Sequence, residues 1–118
     1  MHTLVLKTRL YEANPWLAVS VYKAFVQAKE VGYRRLYDTD ALTVGLPWLI
    51  DEIENLRTLF GQDIWNYSVK GSLPTLEAFL QYMSEQGLTK RHIGIDDLFV
   101  SNIRNELTYY LDSIGDKL

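Results

Sequence analysis

Thr3-Leu-Val-Leu6 is the run that most restricts the architectures open to this chain, because it reads as a β-strand and no second convincing strand follows it. A strand satisfies its backbone N–H and C=O groups only by pairing, so a lone one needs a neighbour from another chain or from additional sequence. The rest of the sequence carries helical periodicity. The expected fold class is therefore mainly α: four helices with one N-terminal β-strand. At 118 residues, one hydrophobic core is affordable and two are not, which predicts a single domain over residues 1–118.

The first helix is expected from Asn14-Pro15, a favoured N-cap followed by a residue suited to the first helical position, toward Leu36. Ser20, Lys23, Gln27, Glu30 and Arg34 trace a solvated stripe along it. Trp16, Val19, Tyr22, Phe25, Val26 and Ala28 fill the remaining circumference, which predicts cover on more than one side. Leu46-Pro47-Trp48 opens a second helix with apolar positions Leu46, Leu49, Ile53, Leu56 and Phe60, ended by Gly61. A third begins near Ser72 to Pro74, turns Leu76, Phe79, Leu80 and Met83 inward, and ends at Gly87. The fourth starts at Asp96 as N-cap, with Ile95 and Val100 as a hydrophobic staple. It buries Phe99, Ile103, Leu107, Tyr110 and Ile114.

Several function classes are disfavoured by composition. The net charge is −3 and the basic residues are scattered, which argues against a nucleic-acid or anionic-membrane surface. With no cysteine there is no disulfide, no thiolate nucleophile and no Cys-based zinc site. The apolar run at the N-terminus is too short for a signal peptide or a membrane span, giving a cytoplasmic reading. His2 and His92 lie far apart without metal-pair spacing, and Gly-x-Ser-x-Gly and Walker loops are absent. Neither a metal nor another cofactor is expected.

Chemistry-bearing candidates concentrate at the turn-rich stretch from Gly61 into the third helix. Trp65 and Tyr67, two apart in an irregular segment, suit an aromatic wall for a planar ligand; they equally suit anchoring of the loop on the core. His2 opens the predicted strand, where a histidine can face a ligand crevice, and terminal disorder is its competing reading. Asp51, Glu52 and Glu54 are explained by the helix dipole. Tyr109, Tyr110 and Trp48 are assigned to packing.

Long ordered stretches also resemble a known family. His2-Thr-Leu-Val-Leu, the run from Tyr11 to Lys29, Leu46-Pro-Trp48, Gly61-x-Asp63-x-Trp65-x-Tyr67, Thr75-Leu-Glu-Ala-Phe-Leu-x-Tyr82-x-x-Glu85-Gln-Gly-Leu88 and Asp97-Leu-Phe99 are similar to the C-terminal part of 4,5-dihydroxyphthalate decarboxylases. The resemblance implies a C-terminal lobe fragment of a type II periplasmic-binding-protein α/β fold, in which Thr3 to Leu6 pairs with a missing N-terminal lobe. It further implies a decarboxylase, a carbon–carbon lyase acting on a small aromatic carboxylate and not competent alone. In that picture His2 is the proton donor and Trp65 and Tyr67 are the substrate-binding walls. Where the family pattern has Pro-Tyr-Gly and an Asn-Arg pair, this chain has Asn66-Tyr67-Ser68 and Ser72-Leu73, losing a cation suited to a carboxylate.

Two alternatives stand beside it. One is a fragment of a solute-binding protein of an uptake system that captures a small anion without chemistry. The other is a non-catalytic helical domain that forms a homo-oligomer through the exposed strand.

Overall fold

The computed structural model describes residues 2–38, 40 and 44–104. Among the described residues the helices α1 (Thr8–Ala13), α2 (Trp16–Leu36), α3 (Leu49–Phe60), α4 (Leu73–Glu85) and α5 (Ile95–Leu98) succeed one another. A single 3₁₀ turn, Lys70–Ser72, leads into α4. Residues 101–104 are again helical. Among the described residues no helix is long and apolar enough to cross a membrane.

No β-strand occurs among the described residues, which overturns the expected arrangement of four helices and one strand and, with it, the α/β lobe. Residues 2–7 precede α1 without a partner strand, leaving Leu4 61% and Val5 85% exposed. The reason is that β-propensity describes a fit to a pleated, half-buried surface rather than an intrinsic backbone preference. With no sheet edge to join, the apolar run stays unpaired and the chain turns helical at once. The Lys7 carbonyl accepts the N–H groups of Leu10 at 2.9 Å and Tyr11 at 3.1 Å, starting α1 where a strand end was expected.

The backbone divides into two compact units, one made of the chain up to Val19 and from Tyr67 onward, the other of Ser20–Asn66. In the first unit, Asn14 closes α1 as much as it opens α2. Its N–H donates to the carbonyls of Leu10 at 3.0 Å and Tyr11 at 3.1 Å, while its own carbonyl accepts the Leu17 N–H at 3.0 Å. The Asn102 side-chain amide donates to the Pro15 carbonyl at 2.9 Å, tying the 101–104 turn to the start of α2. Ser68, buried, accepts the Gly71 N–H on its Oγ at 2.9 Å and so shapes the 3₁₀ turn that α4 continues. Leu76 and Leu80 are the buried positions of α4, whereas Phe79, expected beside them, is 50% exposed.

Helix α4 ends in a Schellman motif. Gly87 has φ +67°, its N–H donates to the Ser84 carbonyl at 3.1 Å, and the Leu88 N–H reaches the Met83 carbonyl at 2.9 Å. Helix α5 is shorter than its sequence suggests. It begins at Ile95 rather than after an Asp96 cap, and it stops at Phe99, whose backbone is extended. Asp97 accepts the Gly94 N–H at 3.1 Å and pairs with Arg91 at 3.1 Å; these contacts, the Gly94 bond first, hold its carboxyl below the usual carboxylate range. Arg104 pairs with Asp96. Leu107, Tyr110 and Ile114, expected on the buried face of the last helix, and Tyr109, assigned to packing, lie outside the described residues.

In the second unit, α2 runs through Gly32 without a break. Its inner face is narrower than its composition predicts: Val26 is 1% exposed, but Phe25 is 50% exposed. In α3, Ile53 is the buried residue, and Phe60 is 64% exposed rather than inward. Gly61 ends α3 with φ +81° and ψ −167°, a region open essentially to glycine alone, and its N–H donates to the Arg57 carbonyl at 2.8 Å.

Candidate functional site

Residues Tyr22, Val26, Lys29 and Tyr33 recur at steps of three and four, so they share one side of α2, and Tyr37, just past its end, continues the row. A lysine inside such a row needs an anion, because an unpaired ammonium is expensive to withdraw from water. The loop that follows α3 supplies it. Once Gly61 has turned the chain, Asp63 places its Oδ1 2.6 Å from Lys29 Nζ, and the lysine side chain is only 8% exposed.

The same loop is fastened at a second point. Lys29 Nζ donates to the Trp65 carbonyl at 3.0 Å. The Trp65 N–H donates to the Tyr33 hydroxyl at 2.8 Å, and that hydroxyl donates in turn to Asp63 Oδ1 at 3.1 Å. Both main-chain polar groups of Trp65 are thus engaged by side chains one helical turn apart on α2. The rings follow: the Tyr33 and Trp65 centroids lie 5.6 Å apart with planes inclined by 24°, a stacked pair. Lys29 Nζ is 5.7 Å from the Tyr33 ring centroid, within cation–π range.

The electrostatics agree with this geometry. The Tyr33 hydroxyl is pushed up to about 12, first by burial and then by the Asp63 carboxylate, against the opposing effect of the Trp65 N–H bond. Tyr22 is also pushed up to about 12, by burial and then by Asp63. Its buried hydroxyl has no hydrogen-bond partner among the described residues, unlike that of Tyr33. At the far end of the row, Tyr37 tilts against Tyr33 at 6.2 Å, and the Arg57 guanidinium sits 5.1 Å from the Tyr37 ring centroid. Arg57 also pairs with Glu54 at 3.0 Å and donates to Gln62, so α3 contributes to holding the loop start.

The three residues expected to bind or react fall in different places. Trp65 belongs to this cluster, with 51% of its surface exposed. Tyr67 falls in the other compact unit and is 46% exposed. His2 is exposed in the segment before α1. Among the described residues no group of three or more metal-ligating side chains gathers. Sequence reading did not find Lys29, Tyr33 and Asp63. The available signal was a lysine inside an otherwise aromatic and aliphatic row, together with an acid two residues before a tryptophan in a loop.

What this cluster can do chemically is limited by its own satisfaction. Lys29 already serves Asp63 and the Trp65 carbonyl, so its charge is largely spent within the protein. The group presented outward is the indole.

No protein-family model matches the chain. Over 99 residues it is 38% identical to 4,5-dihydroxyphthalate decarboxylase from Comamonas testosteroni, a stretch that makes up 84% of this chain and 30% of that protein. The chain is thus a relative, over that stretch, of a protein bearing the name of an aromatic-acid decarboxylase, and it spans less than a third of that relative's length.

Proposed function

We propose that this chain contributes binding surface for a small aromatic carboxylate, as part of a decarboxylase-like system. The observation that carries this reading is the 38% identity over 99 residues to 4,5-dihydroxyphthalate decarboxylase. The half-exposed, stacked indole of Trp65 supports it, since a fixed aromatic face suits a planar ring.

The implied reaction replaces a ring carboxylate by hydrogen: the carbon–carbon bond breaks, carbon dioxide leaves, and the ring carbon takes a proton. Such chemistry needs a proton donor at the ring carbon and stabilisation of charge on the departing or remaining carboxylate. Of the residues of this chain, Trp65 is the one proposed as a wall for the ring. Lys29 is not proposed as the carboxylate's cation, because Asp63 occupies it. That role falls to a group outside this cluster.

The test is thermal unfolding of the chain with 4,5-dihydroxyphthalate, with catechol, which lacks the carboxylates, and with no ligand. The reading predicts a concentration-dependent rise in midpoint with the dicarboxylate and none with catechol, as binding to the folded state alone requires. Identical midpoints in all three at millimolar ligand would contradict it.

A further inference from the structure

We infer that Lys29 and Tyr33 are positioning residues that preset the Trp65 indole as the flat contact for an aromatic carboxylate's ring, an inference that rests on the reading just given. A tryptophan in an irregular loop ordinarily samples several orientations, and ordering it on binding costs affinity. Here much of that ordering is already in place. The N–H of Trp65 is held by the Tyr33 hydroxyl at 2.8 Å and its carbonyl by Lys29 Nζ at 3.0 Å. Asp63, two residues earlier, is held by the same two side chains at 3.1 and 2.6 Å. The Tyr33 ring then supports the indole from one side in a stack at 5.6 Å.

The clamp grips the backbone of Trp65 and leaves 51% of the residue exposed, while the side chain of the lysine that holds it is 8% exposed. Fasteners less exposed than the aromatic face they hold are the arrangement by which a supporting layer preorganises a contact residue. Lys29 acts through Trp65 and does not itself reach the ligand.

The experiment follows the Trp65 indole N–H resonance of the nitrogen-15-labelled chain, assigned with Trp65→Phe, during titration with phthalate and with its saturated analogue cyclohexane-1,2-dicarboxylate. In the native chain phthalate moves that resonance and binds tighter than the saturated acid. Tyr33→Phe keeps the stacked ring but removes both hydrogen bonds, and is expected to weaken phthalate about fivefold. It should bring the phthalate-to-saturated ratio toward one, an effect that general destabilisation does not produce. Lys29→Met should do the same and Lys29→Arg should recover most of the loss. Should Lys29→Met fail to fold, Tyr33→Phe and Lys29→Arg decide the matter.

An unchanged ratio in Tyr33→Phe overturns the inference. So does phthalate binding that shifts other resonances and leaves Trp65 still, although the decarboxylase-related reading survives that result. If benzoate moves Trp65 with the expected dependence on Tyr33 while phthalate and 4,5-dihydroxyphthalate do not bind, the positioning role stands and the dicarboxylate reading falls. No change in any resonance of the chain with any of these acids overturns both.

Discussion

Residues 3–6 and residues 61–65 exchange the characters their sequences suggest. Thr3-Leu-Val-Leu6 is apolar and strand-forming, yet no strand forms and Val5 is 85% exposed. Gly61-Gln-Asp-Ile-Trp65 is irregular and partly polar, yet it is tied to α2 through Asp63 and through both backbone groups of Trp65. The difference teaches that partner supply, rather than local preference, decides which segment is ordered. A strand needs another strand, and these residues provide none in the described chain. The loop needs two donors and an acceptor, and α2 offers them from positions one helical turn apart.

The contrast can be broken most strongly at Lys29. Lys29→Met removes the ion pair to Asp63 and the donor to the Trp65 carbonyl; because Asp63 keeps 36% side-chain exposure and can rehydrate, the expected loss is about 2 kcal/mol rather than that of a fully buried pair. Urea unfolding measures it, and an unchanged midpoint means the loop is not held by this residue.

Gly61→Ala comes next. Nothing lies within 4 Å of the added Cβ, so the penalty is one of backbone conformation alone, about 1–2 kcal/mol at φ +81° and ψ −167°. A neutral Gly61→Ala in the same unfolding assay would show that the loop starts differently.

A smaller, graded loss is expected in alkali. Tyr22 and Tyr33 are raised to about 12 in the folded chain from an ordinary value of 10.0, so their contribution is complete below pH 10 and disappears as pH rises through 12. Urea midpoints should fall across that window, and Tyr33→Phe should flatten the fall. The smallest effect belongs to the apolar run: Val5→Ser should change stability by less than about 0.5 kcal/mol, as for a solvated surface position. A large loss there would reveal packing that the exposure denies.

Features written in adjacent residues were legible before the structure. Gly61 and Gly87 end their helices, and α4 starts where Ser72 and Pro74 place it, because caps and turns depend on a few neighbouring dihedrals. Thr3 to Leu6 misled because a strand is a property of two segments and the described residues offer only one. Phe79 and Phe60 misled because period alone does not say how much of a helix its neighbours cover. The Lys29–Asp63 pair was illegible for a related reason: its members are 34 residues apart and meet only once Gly61 has reversed the chain. Trp65 was singled out as a large aromatic in a turn, but its support from Tyr33 was not visible in that pattern.

Residue-resolved amide hydrogen exchange on the native chain addresses the central contrast without altering a single side chain. The Trp65 amide, bonded to the Tyr33 hydroxyl, should exchange well below the rate of an unstructured peptide, while the amides of Leu4, Val5 and Leu6 exchange at that rate. Free exchange at Trp65 together with protection at Leu4 to Leu6 would contradict the account, showing the apolar run to be ordered and the loop to be loose.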